Sequence, residues 1–187
     1  MRKNFGPKPY MYPMPVLILA SYDENGKPNA MNAAWGGIID SDKILISISG
    51  KHKTTKNIKH TNAFSVSFAT KEMYVACDYV GIVSGNKEEN KFEKAGFTAI
   101  KSDFVNAPII KELPLTLECE VFEWIEDEGD YLLKGKIVNV SAEESILKDG
   151  HINLEAFHPI TYDSNNHHYV ALGEVVGKAF CDGNKLK

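Results

Sequence analysis

The dipeptide Asn25-Gly26 constrains this chain more than any other feature. It lies between an apolar run, Pro15-Val16-Leu17-Ile18-Leu19-Ala20-Ser21-Tyr22, and a segment of small and amide residues, Pro28-Asn29-Ala30-Met31-Asn32-Ala33-Ala34-Trp35-Gly36-Gly37. Asn-Gly between two such runs is the strongest short-range hairpin signal, because both central residues of a type I′ turn need positive φ. The spacing predicts an antiparallel pair joined there. The returning strand is unusual: Ala, Asn and Gly are poor strand formers. Small residues in a strand mark a place where a ligand or another backbone comes close. A large flat ligand fits that description.

The 187 residues fit one domain over 1–187, large enough to bury a full core. A formal charge of -4 and a pI near 5.9 argue against nucleic-acid or anionic-membrane partners, which need a basic surface. The first residues lack the apolar core of a signal peptide, and Val16 to Ala20 is far too short for a bilayer span. The expectation is a cytoplasmic protein. Three widely separated cysteines with no C-x-x-C pair speak against a disulfide framework or zinc knuckle. Cys77 falls on an apolar stripe with Met73, Ala76 and Val80. Cys119 alternates with Leu115, Leu117 and Val121. Both read as buried and structural.

Strands dominate the rest. Ile44, Ile46 and Ile48 alternate with Leu45, Ser47 and Ser49, and Phe64, Val66 and Phe68 share one face of the next strand. A short helix is expected to open at Thr54 or Thr55, either a good N-cap. Helical patterns cover 72–83 and 87–95, the second capped by Asn86 and ended by Gly96. A long hairpin joins 115–126 to 131–141. Its inward set switches from Leu115, Leu117, Cys119 and Val121 to Phe122 and Trp124, so a β-bulge is expected near Val121. The last strands are read at 159–163 and 168–180. Many short strands with two or three helices favour a closed or nearly closed antiparallel barrel, which removes exposed edges.

Three constellations carry chemistry. Asn29, Met31, Ala33 and Trp35 share strand parity, and an asparagine offers donor and acceptor in one group. Such amides match a ring edge of alternating donors and acceptors, such as a flavin pyrimidine. The same residues also read as backbone satisfaction beside a turn, with Trp35 in the core. Ser47, Ser49, Lys51, His52, Lys53, Thr54, Thr55 and Lys56 combine hydroxyls, cations and a helix start, the ingredients of a phosphate site. A solvated loop is the competing reading. Ser84 and Lys91 could join an anion site or belong to an ordinary helix-opening turn. His167-His168 follows a turn-forming run and reads as solvent-facing. No H-E-x-x-H spacing, nucleophile elbow, P-loop or Rossmann pattern is present, so no metal is expected.

The order of these segments resembles the flavin reductase-like, FMN-binding split-barrel family, with a character closest to flavoredoxins. The resemblance runs from about Pro13 to Phe180. It is carried by the hairpin through Asn29-Ala30-Met31, Trp35, Ile46-Ser47-Ile48-Ser49, Lys51-His52-Lys53-Thr54-Thr55-Lys56-Asn57-Ile58, Ser84-Gly85, Asn90-Lys91-Phe92 and Leu172-Gly173-Glu174-Val175-Val176-Gly177. It implies a mainly β, antiparallel split barrel. It also implies that Asn29, Ala30, Met31, Asn32 and Trp35 lie along the isoalloxazine and ribityl chain. Ser47, Ile48 and Ser49 would contribute main-chain and hydroxyl contacts. Lys53, Thr54 and Thr55 would approach the phosphate, with Ser84 and Lys91 as a second contact, and His52, also a cofactor-binding residue, could like Lys51 or Lys53 stabilise the anionic reduced flavin.

The family further implies a homodimer with sites near the subunit interface, for which 72–83 is a candidate element through Met73, Tyr74, Tyr79 and Val80. A flavin carries the hydride or electron itself, so no catalytic side chain is nominated. The implied activity is flavin-mediated transfer with FMN as cofactor and NAD(P)H as possible co-substrate. The alternatives are an electron carrier fed by a redox-protein partner and a cofactor-free barrel module binding single strands. The acidic balance weighs against the last.

Overall fold

The computed structural model describes residues 1–187. Strand β1 (Leu17–Tyr22) pairs antiparallel with β2 (Pro28–Ala33), as the sequence predicts. The turn between them differs. Asn25 keeps a negative φ and only Gly26 turns left-handed, at 76°. The Asp23 carboxylate accepts the amides of Asn25 at 2.9 Å and Lys27 at 3.0 Å, so a five-residue aspartate-capped loop replaces the type I′ turn. The chain breaks at Ala34 and Trp35 before β3 (Gly36–Asp40), which pairs with β4 (Lys43–Ser49).

Helix α1 (Lys53–Thr61) starts two or three residues earlier than predicted, with His52 as an N-cap whose side chain makes no capping bond. Thr54 and Thr55 therefore sit in its first turn. Next come β5 (Ala63–Phe68), α2 (Tyr74–Ile82) and the single turn α3 (Lys91–Lys94). The expected helix over 87–95 shrinks to α3 because Asn86 caps nothing and instead donates to the Lys51 carbonyl at 3.0 Å. Gly96, at φ 79°, ends it as expected.

Short strands β6 (Ala99–Lys101) and β7 (Pro108–Ile110) lead to the long hairpin β8 (Leu115–Asp127) and β9 (Asp130–Ala142). Its register shifts between Val121 and Glu123, where the bulge was expected. The extra residue is Phe122, which lies exposed, whereas Trp124 packs on the core. After β10 (Leu147–Lys148), β11 (His151–Ile152) and the single turn α4 (Leu154–Phe157), strands β12 (Ile160–Asp163) and β13 (His168–Ala171) close the order. The expected strand over 168–180 stops at Ala171. Beyond it Leu172, Val175, Val176 and Phe180 are exposed, with no partner strand to extend the ladder.

Seven strands form one sheet in the order β2-β1-β5-β8-β9-β4-β3. The sheet curls until its two ends meet without pairing, which makes the barrel split rather than closed. Met31 and Ala33 of β2 share a core with Ile44, Ile46 and Ile48 of β4, together with Leu17, Leu19, Phe64 and Leu133. Gly135 is the price of that packing: a Cβ there would stand 2.4 Å from Phe64 Cζ. The opposite face of β1 and β2 builds a second core from Val16, Ile18, Ala20 and Ala30 against Cys77, Val80, Phe92, Phe97 and Ile160. Strand β1 is thus buried on both sides, which explains its continuous apolar run. Four α-helices, two of them single turns, decorate the barrel, and none is long and apolar enough to cross a membrane.

Candidate functional site

The break between β2 and β3 opens a cleft of about 610 Å³. One wall runs from Met31 through Ala34 to Trp35 and on to Ser47, Ile48, Ser49 and His52. The other is formed by Asp78, Gly81 and Ile82 of α2 and by Tyr162, His167 and Tyr169 around the β12–β13 hairpin. The small residues of β2 therefore lie where the sequence argument placed a close-approaching ligand. A narrower lobe of about 160 Å³ continues from it past Met31, Asn32, His52, Gly81 and Ile82. Its walls are Lys53, Thr54, Ser84, Gly85 and Lys91.

Eleven of the fourteen residues singled out from sequence line these two lobes: Met31, Asn32, Trp35, Ser47, Ile48, Ser49, His52, Lys53, Thr54, Ser84 and Lys91. Ala30, Asn29 and Thr55 do not. Ala30 points the other way along the strand, into the second core. Asn29 is buried, and its amide donates to Thr54 Oγ1 at 2.7 Å, so it supports a lining residue from behind. Thr55 donates to the Ser49 carbonyl at 2.7 Å and ties α1 to the end of β4. Asn32 lines both lobes while its amide donates to the Cys77 carbonyl at 3.1 Å. Trp35 is no core residue: at 57 % exposure it stands at the cleft rim.

The narrow lobe has the chemistry of an anion site. The first backbone bond of α1 runs from Lys56 to His52, which leaves the amides of Lys53, Thr54 and Thr55 without helical acceptors. Lys91 is 3 % exposed, and its ammonium donates to one partner, the Val80 carbonyl at 3.2 Å. Burial pushes its pKa down from 10.5 to about 8. Burial likewise lowers His52, helped by the charge of Lys91 and opposed by Asp130. A buried ammonium held by a single carbonyl is costly unless an anion joins it. The lobe therefore suits a phosphate.

Sequence reasoning missed the α2 and hairpin wall. His167 is not merely solvent-facing: at φ 58° it turns its ring to the cleft, 2.7 Å from the Tyr162 hydroxyl. Tyr169 donates to Asp78 at 2.7 Å, and burial with that carboxylate raises its pKa. Gly81 was the one legible signal, a glycine within a helical pattern; a Cβ there would come 2.9 Å from Asn32 Cβ. The expected interface face of α2 also changes. Val80 is buried and Met73 and Tyr79 pack inward, so the exposed apolar side chains are Tyr74, Val75 and Ile82.

The flavin reductase like domain family matches residues 10–170. Flavoredoxin of Desulfovibrio vulgaris (Miyazaki F) superposes with a TM-score of 0.93 at 32% identity, covering 98% of this chain and 100% of that one. Flavoredoxin from Methanosarcina acetivorans superposes with a TM-score of 0.91 at 27% identity, covering 100% of each. An uncharacterized protein of Archaeoglobus fulgidus is 34% identical over 143 residues, 75% of this chain and 78% of its own.

Proposed function

The chain belongs to the flavin reductase-like family, and on that premise we propose that it is a cytoplasmic, homodimeric FMN-binding oxidoreductase that takes electrons from NADH or NADPH. The observation that carries the reading is the two-lobed cleft, a wide lobe of about 610 Å³ that continues into a narrow one with a buried, nearly unpartnered ammonium. Thr54, Ser84, Lys91 and the free main-chain amides at the start of α1 would hold the phosphate, while the Lys53 ammonium is paired with Asp23 at 3.1 Å. Asn32, Trp35 and Ser47–Ser49 would hold the ring system. A bound flavin supplies the electron- and hydride-accepting chemistry.

The protein's own part is binding, orientation and electrostatics. Gly81 lets α2 pack directly against Asn32 of β2 where the two lobes meet. Tyr162 and His167 place a phenol and an imidazole on the wall facing β4, where a second flat substrate would meet them. Lys91 supplies positive potential at one end of the cleft. Stopped-flow mixing of the FMN-loaded protein with NADH and with NADPH tests the activity: bleaching of the flavin absorbance is expected with at least one donor. Absence of bleaching with both removes the reductase reading. Likeness to two flavoredoxins supports a second reading, an electron carrier reduced by another redox protein. That reading expects slow nicotinamide oxidation but fast reduction by a low-potential protein donor. Sedimentation velocity at micromolar concentration tests the dimer, and a monomer would contradict it.

A further inference from the structure

The wide lobe carries an unbalanced charge. Neither lysine nor arginine is among the residues that line it, whereas two aspartates are, Asp78 and Asp130. They reach it from different elements. Asp78 lies half-buried on α2 and accepts the Tyr169 hydroxyl at 2.7 Å. Asp130 opens β9 opposite Ser49 of β4, and its carboxylate accepts the Gly50 amide at 3.2 Å. The Ser49 hydroxyl and that amide hold its pKa below the usual carboxylate value. The nearby lysines stand elsewhere. Lys51 lines neither lobe, and Lys53 faces the narrow one with its ammonium paired to Asp23. Lys91 also belongs to the narrow lobe, where a phosphate monoester with close to two negative charges outweighs it. The imidazoles of His52 and His167 are the only groups of the wide lobe able to become cationic. Burial lowers the pKa of His52 from 6.5, so that ring is mostly neutral at pH 7.

We propose that the wide lobe opposes the negative charge a flavin ring gains on reduction, with Asp78 and Asp130 as the residues that lower the ring's potential. The inference rests on the FMN reading above and extends it to the redox state. Two electrons and one proton, the content of a hydride, turn the neutral oxidised ring into a reduced ring with one negative charge. A further proton from water neutralises it. Two carboxylates on the walls of the lobe disfavour the anionic product whichever way the ring lies, since like charges repel over the whole width of such a space. The sign is the reverse of the sequence expectation, in which Lys51, His52 or Lys53 steadies the anionic form. Reduced FMN held in this lobe is thereby a stronger reductant than free reduced FMN, and suits an acceptor that free reduced flavin serves poorly.

Anaerobic titration of the whole protein with oxidised FMN and with dithionite-reduced FMN, at pH 8 and low salt, tests this. Imidazoles are largely neutral at that pH, and the exposed Asp130 is least screened at low salt. In the wild type oxidised FMN is expected to bind at least about tenfold tighter than reduced FMN, which puts the bound two-electron potential about 30 mV or more below that of free FMN. The informative variant joins Asp78→Asn to Asp130→Asn. Each asparagine keeps an oxygen for the Tyr169 hydroxyl or the Gly50 amide, while both charges are lost. The ratio is expected to move about tenfold towards reduced FMN. A control pair, Asp42→Asn with Asp103→Asn, removes as much charge away from both lobes and should leave the ratio within about twofold. Reduced FMN binding as tightly as oxidised FMN in the wild type, a ratio unmoved by the cleft variant, or an equal shift in the control pair overturns the proposal. Should the cleft variant fail to fold, Asp130→Asn alone must move the ratio the same way by about threefold, and a ratio unmoved there overturns it as well. Failure of both forms of FMN to bind the wild type instead removes the FMN reading itself.

Discussion

Lys91 gives the sharpest physical prediction, because its role in the site and its effect on the fold have opposite signs. The side chain is 3 % exposed with one carbonyl partner, and burial brings its pKa from 10.5 to about 8. At 1.36 kcal/mol for each pKa unit, holding the ammonium charged in the unliganded fold costs roughly 3 kcal/mol. The unfolded chain binds the proton more tightly, so the cost is fully present below about pH 8, shrinks as pH rises, and is gone above about 10.5. Lys91→Met keeps most of the volume and removes the charge. At pH 7 without flavin the variant is expected to be more stable by up to about 3 kcal/mol, a rise in Tm of up to about 6–12 °C for a chain of this length. The gain should fade towards pH 10.5. FMN affinity should drop by about 1.5–3 kcal/mol, the loss of one charged hydrogen bond. Urea melts at pH 7 and 10.5 with a parallel FMN titration check all three. A variant less stable than wild type at pH 7, or one that is stabilised and still binds FMN normally, refutes the reasoning.

Other substitutions probe the packing that shapes the cleft. Gly81→Ala must displace Asn32 by its Cβ, 2.9 Å away, and narrow the passage between the lobes. FMN affinity should fall at least about tenfold and the denaturation midpoint should drop as well, since the Cβ of Asn32 cannot swing aside; an unchanged Kd would place the ligand elsewhere. Gly135→Ala forces a methyl against Phe64, 2.4 Å away in the barrel core, and should cost about 1–3 kcal/mol in urea melts. Burial pushes the thiols of Cys77 and Cys119 up to about 12, whereas Cys181 is exposed. Iodoacetamide at pH 8 should therefore modify one thiol of the native protein and all three after denaturation, read by mass spectrometry.

The parts of this account legible in the sequence are those written within a few residues. Alternation placed β4 and β5, the change of inward set located the bulge near Val121, and Gly96 marked a helix end. The small residues of β2 pointed to the cleft because a missing side chain is itself a local signal. The errors also have local causes. Asp23 captured two amides and overrode the Asn-Gly turn preference, and His52 displaced the threonines as the start of α1. What stayed hidden is the opposition of distant segments. Nothing around His167 says that it faces β4, which lies more than a hundred residues earlier, since the β12–β13 hairpin and α2 are brought there only by the second core. Lys91 was legible as a cation, but not as a buried one.

The most direct test of the central claim is a visible absorption spectrum of the purified protein before and after incubation with excess FMN and desalting. The account predicts retained flavin absorbance approaching one FMN per chain. A protein that stays colourless after reconstitution contradicts it, and leaves the cleft between β2 and α2 without the ligand its geometry was read to hold.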